Sequence, residues 1–263
     1  MIPTHQSVQH QRWAGQFDPA GRDIATEAAV AVVVNGSTYA VMMATPADLE
    51  DFATGFALTE GMIAELGEIE RFEIVEHAAG MEARLWVAEA RARALAARRR
   101  AMAGPTGCGL CGIESLEQAL RSTPRVTSEL TLPPHQIMAA IASLRPAQSL
   151  NALTHAVHAA ALWQPSAGLL ALREDVGRHN ALDKLAGAAR RQHLPAADAA
   201  LLLTSRISVE LVQKAAVLGT GILLAISAPT TLAIQTAQTA NLTLLGVARD
   251  DGFEVFTHGW RVG

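Results

Sequence analysis

The sequence predicts an α/β protein in two parts, a smaller mixed α+β half to about residue 147 and a three-layer α/β half after it. Two observations predict this. From Leu150 onward short apolar runs alternate with helix-length amphipathic segments, the grammar of a mainly parallel sheet covered by helices. Earlier, β-rich runs face each other across tight turns, with Asn35-Gly36 a strong hairpin signal. Half of the 263 residues are hydrophobic but only 4% are aromatic, so the core is built from Ala, Leu, Val and Ile, which suits close packing of helix on sheet.

Residues 1–25 carry Gln, His, Gly and Pro without an apolar period and read as a flexible N-terminal arm. Residues 28–34 and 38–44 are the two strands around Asn35-Gly36. Pro46 opens a helix through Glu60, with Leu49, Phe52, Ala53 and Phe56 on one face and Gly61 as its stop. Residues 71–76 and 83–89 form a second strand pair, so this sheet is expected to be antiparallel. Arg91, Arg93, Arg98, Arg99 and Arg100 follow, as a solvated helix face or an electropositive surface. A cysteine loop spans 103–112, and helices are expected over 113–120 and 133–144. Then come a helix over 154–163, a strand over 169–173, a helix over 180–191 and a strand over 200–203. A helix over 209–218, a strand over 222–226, a helix over 231–239 and a strand over 242–247 complete the chain. The units are thus the arm 1–25, a mixed α+β domain 26–147 carrying the cysteine loop, and an α/β domain 148–263.

A net charge of −4 gives no global field for nucleic acid or an anionic membrane. No apolar stretch reaches the roughly 18 residues of a membrane span. The polar start lacks the charged and apolar regions of a signal peptide, so a cytoplasmic location is expected, where thiols stay mainly reduced.

In open parallel sheets ligands lie at the carboxyl ends of strands, where backbone N–H groups and helix dipoles converge. Three such turns are polar: residues 173–180 (Arg-Glu-Asp-Val-Gly-Arg-His-Asn), Thr204-Ser205-Arg206, and Ser227-Ala228-Pro229-Thr230. Each suits an anionic group such as a phosphate, although Ser227 or Thr230 would equally cap a helix and Glu174 would equally pair with Arg178. Asp183 and Lys184 are expected as a solvated ion-pair face or as ligand contacts. His155 and His158 begin the helix over 154–163; the Glu of a zinc deaminase's His-x-Glu is Ala160 here, and Ser205 to Ser208 offers no cysteines, which disfavours deaminase chemistry.

The only two cysteines stand in Thr106-Gly107-Cys108-Gly109-Leu110-Cys111-Gly112. Cys-x-x-Cys supplies half a zinc site, a redox pair or a sulfur carrier, and it lacks both finger-like partners and the βαβ opening of a thioredoxin-like motif. Glycines beside both cysteines favour a loop that reaches two places, and a helix starting at Ile113 would help stabilise a thiolate on Cys111.

Taken together, residues 47–61, the cysteine loop, 173–184, 204–206 with 210–215, 227–230 and Thr257-His258 resemble the formate dehydrogenase accessory sulfurtransferase family, FdhD. The resemblance implies a sulfur carrier required for formate dehydrogenase activity. It would accept persulfide sulfur from a cysteine desulfurase and pass it to a molybdenum (or tungsten) bis-guanine dinucleotide cofactor, bound as substrate. Cys108 would be the carrier and Cys111 the assisting thiol. Arg173, Asp175, Gly177, Arg178, His179, Asn180, Thr204, Ser205, Arg206, Ser227, Ala228, Pro229 and Thr230 would hold the cofactor, with no resident metal. It further implies a cytidine-deaminase-like second domain and a homodimer. The alternative is a non-catalytic cofactor chaperone with its cysteines structural or zinc-bound. One departure stands out: the family's Thr-Gly-Gly-x-His is Thr154-His155-Ala156-Val157-His158 here, which restricts backbone approach at that turn.

Overall fold

The structure, a computed structural model, describes residues 2–102 and 123–263. The N-terminal stretch expected to be a flexible arm is a hairpin. Strands β1 (His5–Trp13) and β2 (Phe17–Ala25) pair antiparallel from His5↔Ala25 to Trp13↔Phe17, around a turn in which Gly15 takes φ 95°. Almost every residue of it is exposed, so neither face shows the apolar alternation by which a half-buried strand is legible.

Asn35 and Gly36 both take positive φ, and the chain reverses between β3 (Ala28–Val34) and β4 (Ser37–Ala44) as the Asn-Gly signal requires. Helix α1 (Leu49–Thr59) then carries the chain to a second hairpin, β5 (Ile69–His77) and β6 (Gly80–Val87). The sheet order is β4-β3-β6-β5, and β3 and β6 run parallel. The expected antiparallel sheet is therefore mixed, because the two hairpins join through a crossover that includes α1. Its inner face, Val30, Val32, Ala83 and Leu85, packs with Phe52, Ala53 and Phe56 of α1. Helix α2 (Glu89–Met102) adds Leu95 to this core.

The second core begins earlier than residue 148. Helix α3 (Pro134–Ala147) places Ile137, Ala140, Ile141 and Leu144 on one helical face against the large sheet, and Val126 enters the core on the sheet's opposite side. Core packing thus assigns residues 126–147 to the second half. Next, α4 (Ser149–Thr154) ends on His155, which takes the left-handed conformation (φ 54°, ψ 28°) where the related motif has glycine. The expected helix over 154–163 is instead this helix end followed by strand β7 (His158–Gln164). Ala159, Ala160, Ala161, Leu162 and Trp163 are all buried, so the strand is apolar on both faces and carries no period to separate it from a helix.

The remaining elements are β8 (Gly168–Asp175), α5 (Arg178–Arg191), β9 (Ala200–Leu203), α6 (Val209–Leu218), β10 (Ile222–Ala225), α7 (Thr231–Thr239), β11 (Thr243–Arg249) and β12 (Gly252–Val255). The sheet order is β12-β11-β10-β9-β7-β8. Strands β9, β10 and β11 are mutually parallel, β7 is antiparallel to both β8 and β9, and β12 is antiparallel to β11. Helices α5, α6 and α7 cover one face through Leu182, Leu185, Leu211, Ala215 and Ala233, and α3 covers the other. Among the described residues no helix is long and apolar enough to cross a membrane.

The halves lock where α1 crosses α5. A Cβ on Gly55 would stand 1.8 Å from the Asp183 carbonyl oxygen, and one on Gly187 would stand 1.9 Å from that of Asp51, so only glycine allows this approach. Polar links, most of them buried, flank it. Arg173 donates to Asp51 from Nε (2.9 Å) and Nη2 (2.7 Å), and Arg191 reaches Asp51 and Glu50. Lys184 pairs with Asp175 at 2.7 Å and donates to the Thr45 carbonyl. Lys214 meets both Asp183 oxygens at 2.7 Å, and Thr59 donates to Asp183. Asp183 and Lys184, expected either as a solvated ion-pair face or as ligand contacts, are buried in paired contacts because α5 lies between the sheet and α1. Glu174 does not pair with Arg178; it accepts from Leu150 N and Asn151 N (both 2.8 Å) at the start of α4.

Overpacking a close glycine contact costs about 1–3 kcal/mol or more, and in a chain of this size each kcal/mol moves the melting midpoint by about 2–4 °C. Gly55→Ala is expected to lower the thermal midpoint by roughly 5–10 °C. An unchanged midpoint by calorimetry would refute the glycine lock.

Candidate functional site

Strands β8, β9 and β10 run in the same direction, so the turns that follow Asp175, Leu203 and Ala225 lie at one end of the sheet. The start of β7 comes to the same end: His158 registers with Asp175, Ala159 N donates to Thr204 Oγ1 (2.8 Å), and Thr204 N donates back to the Ala159 carbonyl (3.1 Å). The second and third turns are stitched together. Ile207 N donates to the Ala228 carbonyl (3.3 Å) and Thr230 N to the Ile207 carbonyl (3.0 Å). All three polar turns therefore form one continuous edge.

Not every residue expected to bind ligand faces it. Arg173 is consumed by Asp51. Asp175 is fully buried, accepting from Thr45 N (2.9 Å), Gly177 N (2.8 Å) and Asn180 Nδ2 (3.0 Å) beside Lys184. Asn180 also donates to the Met43 carbonyl (2.8 Å). These three are scaffold: they fix the turn that presents Gly177, Arg178 and His179. Gly177 is the N-cap of α5, and a Cβ there would stand 2.7 Å from Asn180 Nδ2. No side chain caps α5 and no acid occupies its first turn, while the Asp175 carboxylate accepts from its N-cap residue Gly177. By contrast Thr230 caps α7 by accepting from Ala233 N (3.3 Å), and Ser205 donates to the Arg206 carbonyl (2.9 Å). Ala228, Thr230 and Arg206 are exposed at the rim.

Arg178, the first residue of α5, has a buried Nε with no hydrogen-bond partner. Two histidines flank it electrostatically. Burial, then the Arg178 guanidinium, holds both His158 and His179 below the ordinary value of 6.5; Lys214 adds to this at His179, while Glu210, 3.6 Å away, opposes it. Glu210 is held ionised, below its ordinary range, by Ser208, its own backbone N–H and His179, against the opposing effect of burial. A guanidinium with an unused N–H, an uncapped helix N-terminus and an exposed second arginine are groups whose chemistry suits an anion, and the neutral imidazoles add hydrogen-bonding groups without charge. Among the described residues no three His, Cys, Asp or Glu side chains gather as a metal site.

Glu210 and Lys214 were not among the expected ligand residues, and the sequence leaves His158 equally a capping or core histidine and a pocket residue. The signal for His158 was the apolar run that follows it, bounded by Gln164 and short enough for a strand. Glu210 and Lys214 stand four apart on one face of α6, an i,i+4 pair legible in the sequence. Cys108, Cys111 and the helix expected over 113–120 lie outside the described residues. In the arginine segment, Arg91 pairs with Glu68 (3.1 Å), Arg93 with Glu89 (3.5 Å), and Arg98 donates to the Glu60 carbonyl (2.9 Å), which supports the solvated, locally paired face.

Comparison with known proteins decides the lineage. Residues 25–263 match the FdhD/NarQ family. The chain belongs to that family. It is 52% identical over 242 residues to the sulfur carrier protein FdhD of Agrobacterium fabrum, covering 92% of this chain and 89% of the relative. It is 44% identical over 261 residues to the FdhD of Cupriavidus necator, covering 99% and 91%. A formate dehydrogenase accessory protein of Desulfotalea psychrophila has the same fold, with TM-score 0.79 and 24% identity over 99% of this chain and all of that one. The described residues among those quoted for the FdhD resemblance thus fall on the buried scaffold of an FdhD/NarQ member as well as on its polar edge.

A histidine whose folded value is depressed binds fewer protons in the native state than in the unfolded one, so stability falls as pH drops from its ordinary value through the lowered one. His158 and His179 both contribute in this sense. Urea unfolding between about pH 7.5 and about 5.5 is expected to show this loss, and His158→Gln with His179→Gln to flatten it. An unchanged pH slope in the double variant would contradict the assignment.

Proposed function

We propose that this chain is a sulfur carrier that supports formate dehydrogenase, with a guanine-nucleotide-containing molybdenum or tungsten cofactor bound as substrate along the polar edge. The observation that carries the reading is Arg178: a guanidinium with a buried, unpartnered Nε at the uncapped start of α5, where a nucleotide's pyrophosphate would supply the missing acceptors. The relatives' name, sulfur carrier protein, supports the chemistry assigned to the cysteines.

In this reading a Cys108 thiolate attacks the outer sulfur of a desulfurase persulfide. That S–S bond breaks, the desulfurase cysteine leaves as thiolate, and Cys108–S–SH forms. Cys111 thiolate then attacks the Cys108 sulfur, which forms the Cys108–Cys111 disulfide and expels hydrosulfide toward the electrophilic metal. A dithiol reductant restores both thiols. Gly177, Arg178, His179, Thr204, Ser205, Arg206 and the 227–230 turn orient the nucleotide halves of the substrate. The work takes place in the cytoplasm, where a reducing pool keeps the thiols available.

Two arms test this. Activation of a partner formate dehydrogenase is expected to be lost with Cys108→Ala and strongly reduced with Cys111→Ala; full activation by both would remove the carrier role and leave a cofactor chaperone. Guanosine diphosphate binding by calorimetry is expected to weaken about 10- to 100-fold in Arg178→Ala, the worth of a charge-assisted contact. Wild-type affinity in that variant would remove the proposed edge.

A further inference from the structure

A cavity of about 130 Å³ lies where the last turns of α1 and α6 meet α5. Its walls are the buried side chains of Leu58, Ile63, Ala186 and Leu218, with the half-buried Val217 beside them. Two polar side chains also line it, Thr59 and Arg190. The Thr59 hydroxyl is already engaged, donating to Asp183 (2.6 Å) and accepting from Lys214 (3.2 Å). Arg190 is the side chain left to select a ligand. It is exposed, and its hydrogen bond to the Val217 carbonyl (3.4 Å) occupies one of five N–H donors. Arg191 next to it pairs with Glu50 and Asp51, whereas no carboxylate among the described residues pairs with Arg190.

The guanidinium calls for an anion, and the helices around it limit that anion's charge. α1 and α6 both end at the cavity, and the partial negative charge of a helix C-terminus disfavours a phosphate-like dianion while one guanidinium suffices for a monoanion. Volume sets the size of the rest. An apolar cavity of about 150 Å³ takes up benzene, so this one admits about one ring or one branched aliphatic chain. We propose that the cavity binds a compact monocarboxylate, its apolar body between α1, α5 and α6 and its carboxylate on Arg190. Burial of the body supplies affinity, and the planar guanidinium–carboxylate pair supplies orientation. The proposal is independent of the sulfur-carrier reading, since no residue of the cavity belongs to the three polar turns.

Arg190 has a simpler role to be tested against, that of closing the C-terminal end of α6 through the Val217 carbonyl. Such a cap would change stability on removal but bind nothing. The two roles part company in a binding measurement.

The probe is 4-fluorobenzoate, followed by fluorine NMR against the full chain. A dissociation constant of about 1 mM or tighter is expected, the scale for a ligand of roughly ten heavy atoms. Arg190→Gln is expected to weaken binding about tenfold or more, the effect of losing a charge-assisted hydrogen bond. Neutral 4-fluorobenzamide is expected to bind wild type about tenfold more weakly than the benzoate and to be indifferent to Arg190→Gln. Val217→Phe, which fills the cavity, is expected to abolish binding of both. A thermal midpoint establishes folding of each variant, and Ala64→Phe at an exposed position of the lining repeats the filling test if Val217→Phe does not fold. Absence of binding to wild type at about 10 mM benzoate, or binding that survives the filled cavity, overturns the proposal. Benzoate affinity unchanged by Arg190→Gln, or equal affinity for the amide, overturns the carboxylate assignment and leaves Arg190 a cap of α6.

Discussion

Everything at the polar edge depends on the contact between α1 and α5. Gly55 and Gly187 bring two backbones together at a distance no side chain tolerates, and that approach fixes where α5 begins. Asp175 extends the constraint: one carboxylate, fully buried, holds Thr45 of the first half, Gly177 and Asn180 of the turn, and Lys184 of the helix. A buried charge with this many partners is costly to disturb, because losing any one of them strands the others without water. The turn that displays Arg178 is rigid for that reason.

This division of labour explains why a dense motif has so few ligand-facing residues. Within 173–180, Arg173, Glu174, Asp175 and Asn180 are spent on structure, tying α1, α4, β4 and the turn together, while Gly177, Arg178 and His179 are left at the edge. A second buried pair, Asp183 with Lys214, runs between α5 and α6; burial pushes the Asp183 carboxyl up, and Lys214 and Thr59 pull against it. Lys214 also depresses His179, so the scaffold reaches the edge electrostatically as well as sterically.

Much of the second half was legible in the sequence because its elements are short, bounded and of one period. The strand over 200–203 and the helices over 209–218 and 231–239 have the bounds their patterns imply. Strand β7 was not legible, since Ala159 to Trp163 are buried on both faces and a fully buried strand has no alternation. The β1–β2 hairpin failed for the opposite reason: it is exposed on both faces, and a polar ribbon reads like a loop. Among site residues, the sequence located the turns but could not separate Arg173 from Arg178. Five residues apart and alike in chemistry, they differ only in what folding brings to them: Asp51 to the first, and no acceptor for Nε of the second.

The central claim is that the first half, whose described residues form none of the three polar turns, sets the edge's geometry through Thr45. Its hydroxyl accepts from Val176 N (3.1 Å) and its N–H donates to Asp175 (2.9 Å). The most direct measurement is guanosine diphosphate affinity in Thr45→Val, with folding established by its thermal midpoint. The account predicts a loss of about tenfold, the worth of one buried hydrogen bond expressed at a distance. Wild-type affinity in a folded Thr45→Val protein would contradict it.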